Sequence, residues 1–518
     1  MRHAFLWLLG LAPLAAAADP ADSPDPATKE LARGLERQMR RVIDAAEPGV
    51  VAVVVSHQKY PPLPAEERKL PGRLGGYTPP VAKFPSPNPP PSADLKLDLS
   101  DARNAPDNQF GSGLVLDAKG LVLTSFHLID GATKVYVRGA NGKGSYADVH
   151  AADARSDLAV LKLIDAVPGL KPVKFANVVL PDGAADEKAT VYRGMWIVSV
   201  GHPPTAGFGT GSPSANWGML SNVRRKAPGP DREELRVRPL YHYGTLLQTD
   251  ARITLGCSGG AVLNLDGEVI ALTSTITAVA GSDSAGGFAI PFDRNYRRIV
   301  DVLKEGREVE YGFLGVAVDR PTAFGLPIAS VTPGTPASTA GMVGSRGTSG
   351  PDTVVAIDGV PVREQDDLFL QVASALAGTK IRVTLLRGNR KRDVDVVLAK
   401  YHHTLPSVVT QRPPAVFGLR VDHSSVRFLQ MQMARDNIVS EVGLPPGVLI
   451  RDLDAGTAAD TKLRPLGDVV GKWLVTHVDG KAVTTPAEFA RETEGKASIK
   501  LRVIEPTAPD KGKEVTLP

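Results

Sequence analysis

The sequence predicts a mainly β chain, with a barrel-forming region first and two copies of a smaller α+β unit after it. Three observations predict it. The stretch LLQTDARITLGCSGGAVLNLDGEVI sets two apolar runs around a glycine-flanked serine, and an Asp266-Gly267 turn inside it marks a β-hairpin. The stretch GSGLVLDAKGLVLTSFHLI reads as two further strands joined at an Asp117-to-Gly120 turn. A unit of about 100 residues that begins near Tyr311 partly repeats from Val416, which is the mark of a duplicated domain. The length of 518 residues fits about three domains, and 42% apolar with 22% charged residues is ordinary for a folded chain. A net charge of +4 is too mild to point to nucleic acid. The basic clusters Arg224-Arg225-Lys226 and Arg387 to Arg392 have no interleaved aromatics and read as solvated turns.

Met1 to Ala18 combines a basic start, the apolar run FLWLLGLAPLAAA and small residues at Ala16 and Ala18, the pattern of a cleavable secretory signal. The run is shorter than the ~20 residues of a bilayer-spanning helix, so no stable membrane span is expected after cleavage. The expected location is the periplasm, the cell envelope or the exterior. Cys257 is the single cysteine, which excludes an intrachain disulfide. In residues 19–48, Leu31, Leu35, Met39 and Val42 recur at helical spacing between Asp25-Pro26 and Pro48-Gly49, and predict a docking helix. GVVAVVVS follows as a buried strand. Residues 57–108 then hold roughly a quarter of the 43 prolines, and read as a PPII-like loop.

Ser258 sits in the string G-x-S-x-G, which also fits the nucleophile elbow of α/β-hydrolases. An elbow needs a helix directly after the serine, and here AVLNLDGEVIAL supplies a hairpin instead. A serine hydroxyl needs a base, a group that orients the base, and donors for the developing oxyanion. His127 lies just past the second strand of the GSGLVL hairpin, and Asp157 heads the apolar strand of DARSDLAVLKL. Each alone fits a structural role. Together they give the order His, Asp, Ser of a chymotrypsin-type triad, with the amides of Gly256 and Ser258 as oxyanion donors.

The strings TSFHLI, SDLAVLKL, VSVGHPP, LLQTDARITLGCSGGAVLNLDGEVIAL and GGFAIPFD, in this order, resemble the trypsin-like domain of the HtrA/DegP serine proteases. The resemblance implies a chymotrypsin-like double β-barrel of six strands each over residues 49–305, with the triad in the cleft between the barrels. His127 would be the general base, Asp157 its orienting partner and Ser258 the nucleophile. The Pro-rich segment falls where relatives carry a variable regulatory loop. A shallow apolar specificity pocket is implied, with Ile253 and Ile276 at lining positions and Thr277 where a larger apolar residue is usual. Cys257 stands where relatives have asparagine. It reads either as a small buried filler or as an oxidisable thiol beside the nucleophile.

DRNYRRIVDVLKEG predicts a closing helix with Phe292, Tyr296, Ile299 and Leu303 on one face, Asp293 as cap and Gly306 as stop. Residues 306–400 (YGFLGVAV, DTVVAIDGVPV, EQDDLFLQVASAL, KIRVTLLRGNRKRDVDVVL) resemble a PDZ domain, whose carboxylate-binding loop would be Phe313, Leu314, Gly315 and Val316. Residues 401–518 comprise a linker and a looser PDZ-like copy with Val416 to Leu419 as its loop and a lengthened segment before Trp473. His402 and His403 in the linker lack further ligands at metal spacing, so no metal or other cofactor is expected, and the linker reads as a connector. The resemblance implies unfolded polypeptides and peptide C-termini as partners, and a homotrimer or higher oligomer. Two functions stay open: a protease of misfolded exported proteins, and a proteolytically latent peptide-binding chaperone or scaffold.

Overall fold

The computed structural model describes residues 26–57, 98–100, 110–181, 186–203, 212–226, 239–254, 256–275, 287–345, 350–434, 443–506 and 508–518. The leader, most of the Pro-rich segment, Ile276 and Thr277 lie outside the described residues. The N-terminal helix α1 (Pro26–Ala46) begins at a proline, whose missing amide is harmless in a first turn. Val42 and Ala46 are buried and Leu35 and Met39 half-buried, but Leu31 is 77% exposed. Only the C-terminal half of the helix docks, and Gln38 ties it to the Leu265 carbonyl at 2.7 Å.

Six antiparallel strands form the first barrel: β1 (Val50–Ser56), β2 (Phe110–Val115), β3 (Leu121–Ser125), β4 (Lys134–Arg138), β5 (Gly144–Asp153) and β6 (Leu158–Leu163). The pairing runs β5-β4-β1-β2-β3-β6 and closes through β5 with β6. Every residue of β1 is buried because both of its faces are covered. Val51, Val53 and Val55 fill the barrel, while Val50 packs with Val198, Val200, Leu246 and Ile290 of the second barrel. That explains a continuous apolar run where a half-exposed strand would alternate. A short helix α2 (Phe126–Ile129) follows β3. The second barrel closes in the order β10-β11-β12-β9-β8-β7. Its strands are β7 (Trp196–Gly201), β8 (Ser214–Arg225), β9 (Leu246–Thr249), β10 (Ala261–Leu263), β11 (Val269–Ser274) and β12 (Gly287–Pro291). Helix α3 (Arg294–Lys304) then packs Tyr296, Ile299 and Leu303 inward. It is capped by the Asp293 carboxylate, which accepts from the Asn295 and Tyr296 amides at 3.0 Å each.

Two α+β units with separate cores follow. After the short pair β13 (Gly312–Phe313), the first unit's sheet holds β14 (Val316–Val318), β15 (Leu326–Val331), β16 (Asp352–Ile357), β17 (Val360–Pro361), β18 (Lys380–Arg387) and β19 (Arg390–Val397). Helices α4 (Pro336–Thr339) and α5 (Gln365–Ser374) accompany it, and β20 (Ala399–Lys400) pairs back on β13. The residues after β20 are more than a connector. They form β21 (Ser407–Val409), which adds to the edge of β5 in the first barrel. Pairing with an available strand edge satisfies backbone groups that a free linker would leave to water.

The second unit repeats the first in detail. Its sheet order is β22-β23-β24-β26-β27, with β25 on β24. The ranges are β22 (Leu419–His423), β23 (Val448–Leu453), β24 (Leu474–Val478), β25 (Lys481–Ala482), β26 (Ile499–Glu505) and β27 (Ala508–Leu517). The Leu314 and Gly315 carbonyls accept from the Ala337 and Thr332 amides, and the Phe417 and Gly418 carbonyls accept from those of Ala459 and Asp454. Gly315 (φ 89°) lies against Thr335, and Gly418 (φ 86°) against Thr457, so a Cβ at either would collide at under 2.5 Å. The segment before Trp473 is not the lengthened one. From Leu453 to Leu474 it spans the same interval as Val331 to Asp352, and the extra residues lie between β22 and β23, where helix α6 (Ser424–Ala434) forms.

The two units meet each other at a buried charge cluster. Lys400, 4% exposed, reaches Glu308 at 2.9 Å, Glu310 at 3.0 Å and Asp422 at 2.8 Å, and Arg451 reaches Glu308 at 2.6 Å. Burial alone would raise the Glu308 carboxyl, but the two cations bring it down to about 2.

Candidate active site

Three elements bring the predicted triad to the cleft between the barrels. His127 is the second residue of α2, Asp157 closes the four-residue turn between β5 and β6, and Ser258 sits in the turn before β10. The His127 Nδ1 stands 2.8 Å and 3.0 Å from the two Asp157 carboxylate oxygens, and its Nε2 stands 3.0 Å from Ser258 Oγ. Asp157 can only accept, so Nδ1 carries the proton and Nε2 offers its lone pair to the serine. The His127 amide also donates to Asp157 Oδ1 at 2.9 Å. Ring and backbone are therefore held by one carboxylate, itself 2% exposed. Burial would lower the His127 pKa, but the Asp157 charge and hydrogen bond outweigh it, and the net direction is upward from 6.5.

The turn that carries Ser258 depends on two glycines. Gly256 has φ 87° and Gly259 φ 86°, and a Cβ at Gly259 would lie 2.0 Å from the Ser112 carbonyl oxygen. Ser112 of β2 fixes this turn from the other barrel. Its amide donates to the Ser258 carbonyl at 2.7 Å, and its hydroxyl donates to the Gly256 carbonyl at 3.1 Å and accepts from the His202 amide at 2.8 Å. On the far side the Gly259 amide donates to the Thr273 carbonyl, and the Thr273 hydroxyl holds the Cys257 carbonyl. Among the described residues no acceptor takes the Ser258 amide, which leaves it available to an oxyanion. His202 is a buried support with no part in the triad: its ring nitrogen faces the Val50 carbonyl at 3.3 Å, and burial pushes its pKa down to about 4.

A family model described as a trypsin-like peptidase domain matches residues 111–272, and one described as a PDZ domain matches residues 312–398. The putative serine protease HhoA of Synechocystis is 32% identical over 310 residues, covering 56% of this chain and 70% of that one. A probable periplasmic serine endoprotease DegP-like of Pseudomonas fluorescens is 27% identical over 486 residues, 90% of each chain. The chain belongs to the HtrA/DegP family of serine endoproteases. The periplasmic pH-dependent serine endoprotease DegQ of Escherichia coli is 31% identical over 313 residues, covering 58% of this chain and 62% of that one.

This HtrA-type chain has contacts at Ser258 that sequence reasoning missed. The Thr275 hydroxyl lies 2.6 Å from Ser258 Oγ, and the Thr275 amide donates to the same oxygen at 3.0 Å. Neither Thr275 nor Ser112 stands out in the sequence, because a hydroxyl that bonds to a distant residue leaves no periodic signal. The GSG flanking Ser112 was the only hint. Cys257 is 6% exposed, its thiol lies 3.6 Å from the Thr254 hydroxyl, and burial pushes its pKa up. It fits the filler reading, since a buried protonated thiol reacts poorly. Of the two predicted pocket residues, Ile253 is half-buried against Gly287 of β12, where a Cβ would meet its side chain at 2.3 Å. In the first PDZ unit, Leu314 is buried, Phe313 and Val316 are half-buried, and β14 forms the edge of its sheet. Among the described residues there is no cluster of three or more His, Cys, Asp or Glu that would hold a metal, and no helix long and apolar enough to cross a membrane.

Proposed function

We propose that this HtrA-type serine endopeptidase cleaves unfolded or damaged exported polypeptides, with His127, Asp157 and Ser258 as its triad. The observation that carries the reading is the hydrogen-bond chain from Asp157 through His127 to Ser258 Oγ, with each link at 3.0 Å or less. In the proposed reaction His127 Nε2 takes the Ser258 proton as Oγ attacks the peptide carbonyl. The amides of Gly256 and Ser258 receive the developing oxyanion, and His127⁺ returns its proton to the leaving amine. Water then repeats the cycle on the acyl-enzyme. Asp157 stays ionised and stabilises the imidazolium. Ile253 and Ile276 are proposed to line an apolar specificity pocket.

The loop Phe313, Leu314, Gly315 and Val316 is proposed to hold a peptide C-terminal carboxylate, with the peptide adding to the free edge of β14. The periplasm or cell envelope is proposed as the location, supported by the relatives that are named as periplasmic endoproteases. Assembly into a homotrimer or higher oligomer is proposed as well. The exposed cluster of Trp196, Trp217 and Met219 on β7 and β8 supports it, since apolar groups of this size on one face mark association surfaces. A latent resting state draws support from one observation, the double hold of Thr275 on Ser258 Oγ.

A fluorophosphonate probe is expected to label Ser258 of the full chain. Ser258→Ala is expected to lose the label and to lower cleavage of an unfolded protein by on the order of 10⁴ to 10⁶ fold. Activity is expected to rise with pH through an acid limb above 6.5, since His127 acts as base only when neutral and its pKa is raised. Absence of both label and cleavage, even with an activating C-terminal peptide, would overturn the protease reading.

A further inference from the structure

The turn that carries Asp157 is gripped from outside the protease barrels. Asp153, at its start, is 2% exposed. One of its carboxylate oxygens accepts from the Ser156 amide at 2.8 Å, from the Ser156 hydroxyl at 2.6 Å, and from the Tyr311 hydroxyl. Arg155, 5% exposed, places its guanidinium between two rings, with Cζ 4.4 Å from the Tyr311 centroid and 4.6 Å from that of Tyr401. The Tyr401 amide donates to the Tyr311 carbonyl at 2.7 Å, which ties the two tyrosines together. The Ala154 amide donates to the Pro406 carbonyl at 3.1 Å, and β21 continues the contact by pairing Ser407 with Asp153. Tyr311 enters the first PDZ unit and Tyr401 and Pro406 leave it.

Such an arrangement costs more than simple packing would. Arg155 Nε and Nη1 are buried and meet no acceptor among the described residues, and buried N–H groups without acceptors are costly. Two aromatic faces return part of that cost through cation–π attraction. A fold that needed only filler at this place would be served by an aliphatic side chain. Asp157 itself has φ 59°, a left-handed conformation that is strained for a non-glycine residue and relaxes unless its surroundings hold it.

We infer that Asp153, Arg155, Tyr311 and Tyr401 form a clamp that positions the catalytic aspartate, so that the triad is complete only while the PDZ entry and exit segments are docked on the β5–β6 turn. The inference rests on the acyl-transfer reading of the triad. These four are positioning residues and act on the reaction through Asp157.

The test is the titration of His127, followed by NMR in the full chain with labelled histidine and read beside kcat/KM. His403, whose ring lies 5.6 Å from Tyr311 and which burial brings down to about 4, must be assigned separately. If the turn slips, the Asp157 carboxylate withdraws and burial acts on His127 unopposed. Tyr401→Leu is therefore expected to lower the His127 titration by at least about one pH unit. The same variant is expected to reduce kcat/KM by roughly 10- to 100-fold, mostly in kcat. Tyr401→Phe, which keeps the ring, is expected to restore both. Tyr311→Phe removes only the hydroxyl on Asp153 and gives a milder shift in the same direction, which serves if Tyr401→Leu folds poorly. A His127 titration unmoved in both Tyr401→Leu and Tyr311→Phe would overturn the clamp, whatever the activity does. A shifted titration in a chain whose Ser258 never labels would sink the protease reading and leave the clamp standing.

Discussion

Ser258 Oγ meets three groups at once: the imidazole of His127 and both the hydroxyl and the amide of Thr275. Whichever hydroxyl donates, the bond between Thr275 and Ser258 must break before the serine oxygen attacks. A net hydrogen bond is worth about 1 kcal/mol, which corresponds to roughly five-fold in rate. Thr275→Val keeps the side-chain shape and removes the hydroxyl. It is expected to raise the rate of fluorophosphonate labelling several-fold, and an unchanged or slower rate would show that Thr275 helps the nucleophile instead of restraining it. The hydrogen-bonded chain Asp157–His127–Ser258 was legible because each of the three sits in a distinctive string and in a diagnostic order. Thr275 was not, since its contact depends on how β11 leaves the barrel beside the turn of Ser258. The Ser112 bonds cross from one barrel to the other, and no local pattern records them.

At the scale of elements, legibility followed local chemistry. Helix α3 was readable in full: Asp293 caps it, Tyr296, Ile299 and Leu303 face inward, and Gly306 ends it at φ 73°. Asp293→Ala leaves two amides of the first turn without their acceptor and is expected to lower the local opening free energy of Arg294–Lys304 by about 1 kcal/mol. Amide exchange across the helix measures it, and unchanged protection would mean that tertiary packing alone holds the element. Strand β21 was invisible for the opposite reason. SVV is three residues long, lies close to prolines on both sides, and becomes a strand only because the edge of β5 offers it partners. The same dependence on distant partners explains α1, whose periodic face continues to Leu31 although only the end near Val42 finds a surface to cover.

At the scale of the molecule, the repeat was readable but the contact between its two copies was not. Recurrent glycines and strand runs announced two PDZ-like units, yet Lys400 reads in sequence as an ordinary surface lysine. Its burial among Glu308, Glu310 and Asp422 exists only once three segments have met. Tyr401, Pro406 and β21 likewise reach the turn of Asp157, which places the linker in the proposed clamp. Two truncations separate the linker from the second unit. A chain ending at Pro414 loses Asp422 and Arg451 from the charge cluster but keeps Tyr401, Pro406 and β21, and is expected to retain labelling and cleavage within a few-fold of the full chain. A chain ending at Lys400 loses the same cluster partners and the linker as well. Of the contacts from the PDZ side, the turn then keeps that of Tyr311 but loses those of Tyr401, Pro406 and β21, and kcat/KM is expected to fall by a further 10- to 100-fold, with Ser258 labelling slowed in proportion. Equal activity of the two truncations would mean that the β5–β6 turn holds Asp157 without help, and that β21 is a tether for the second unit alone.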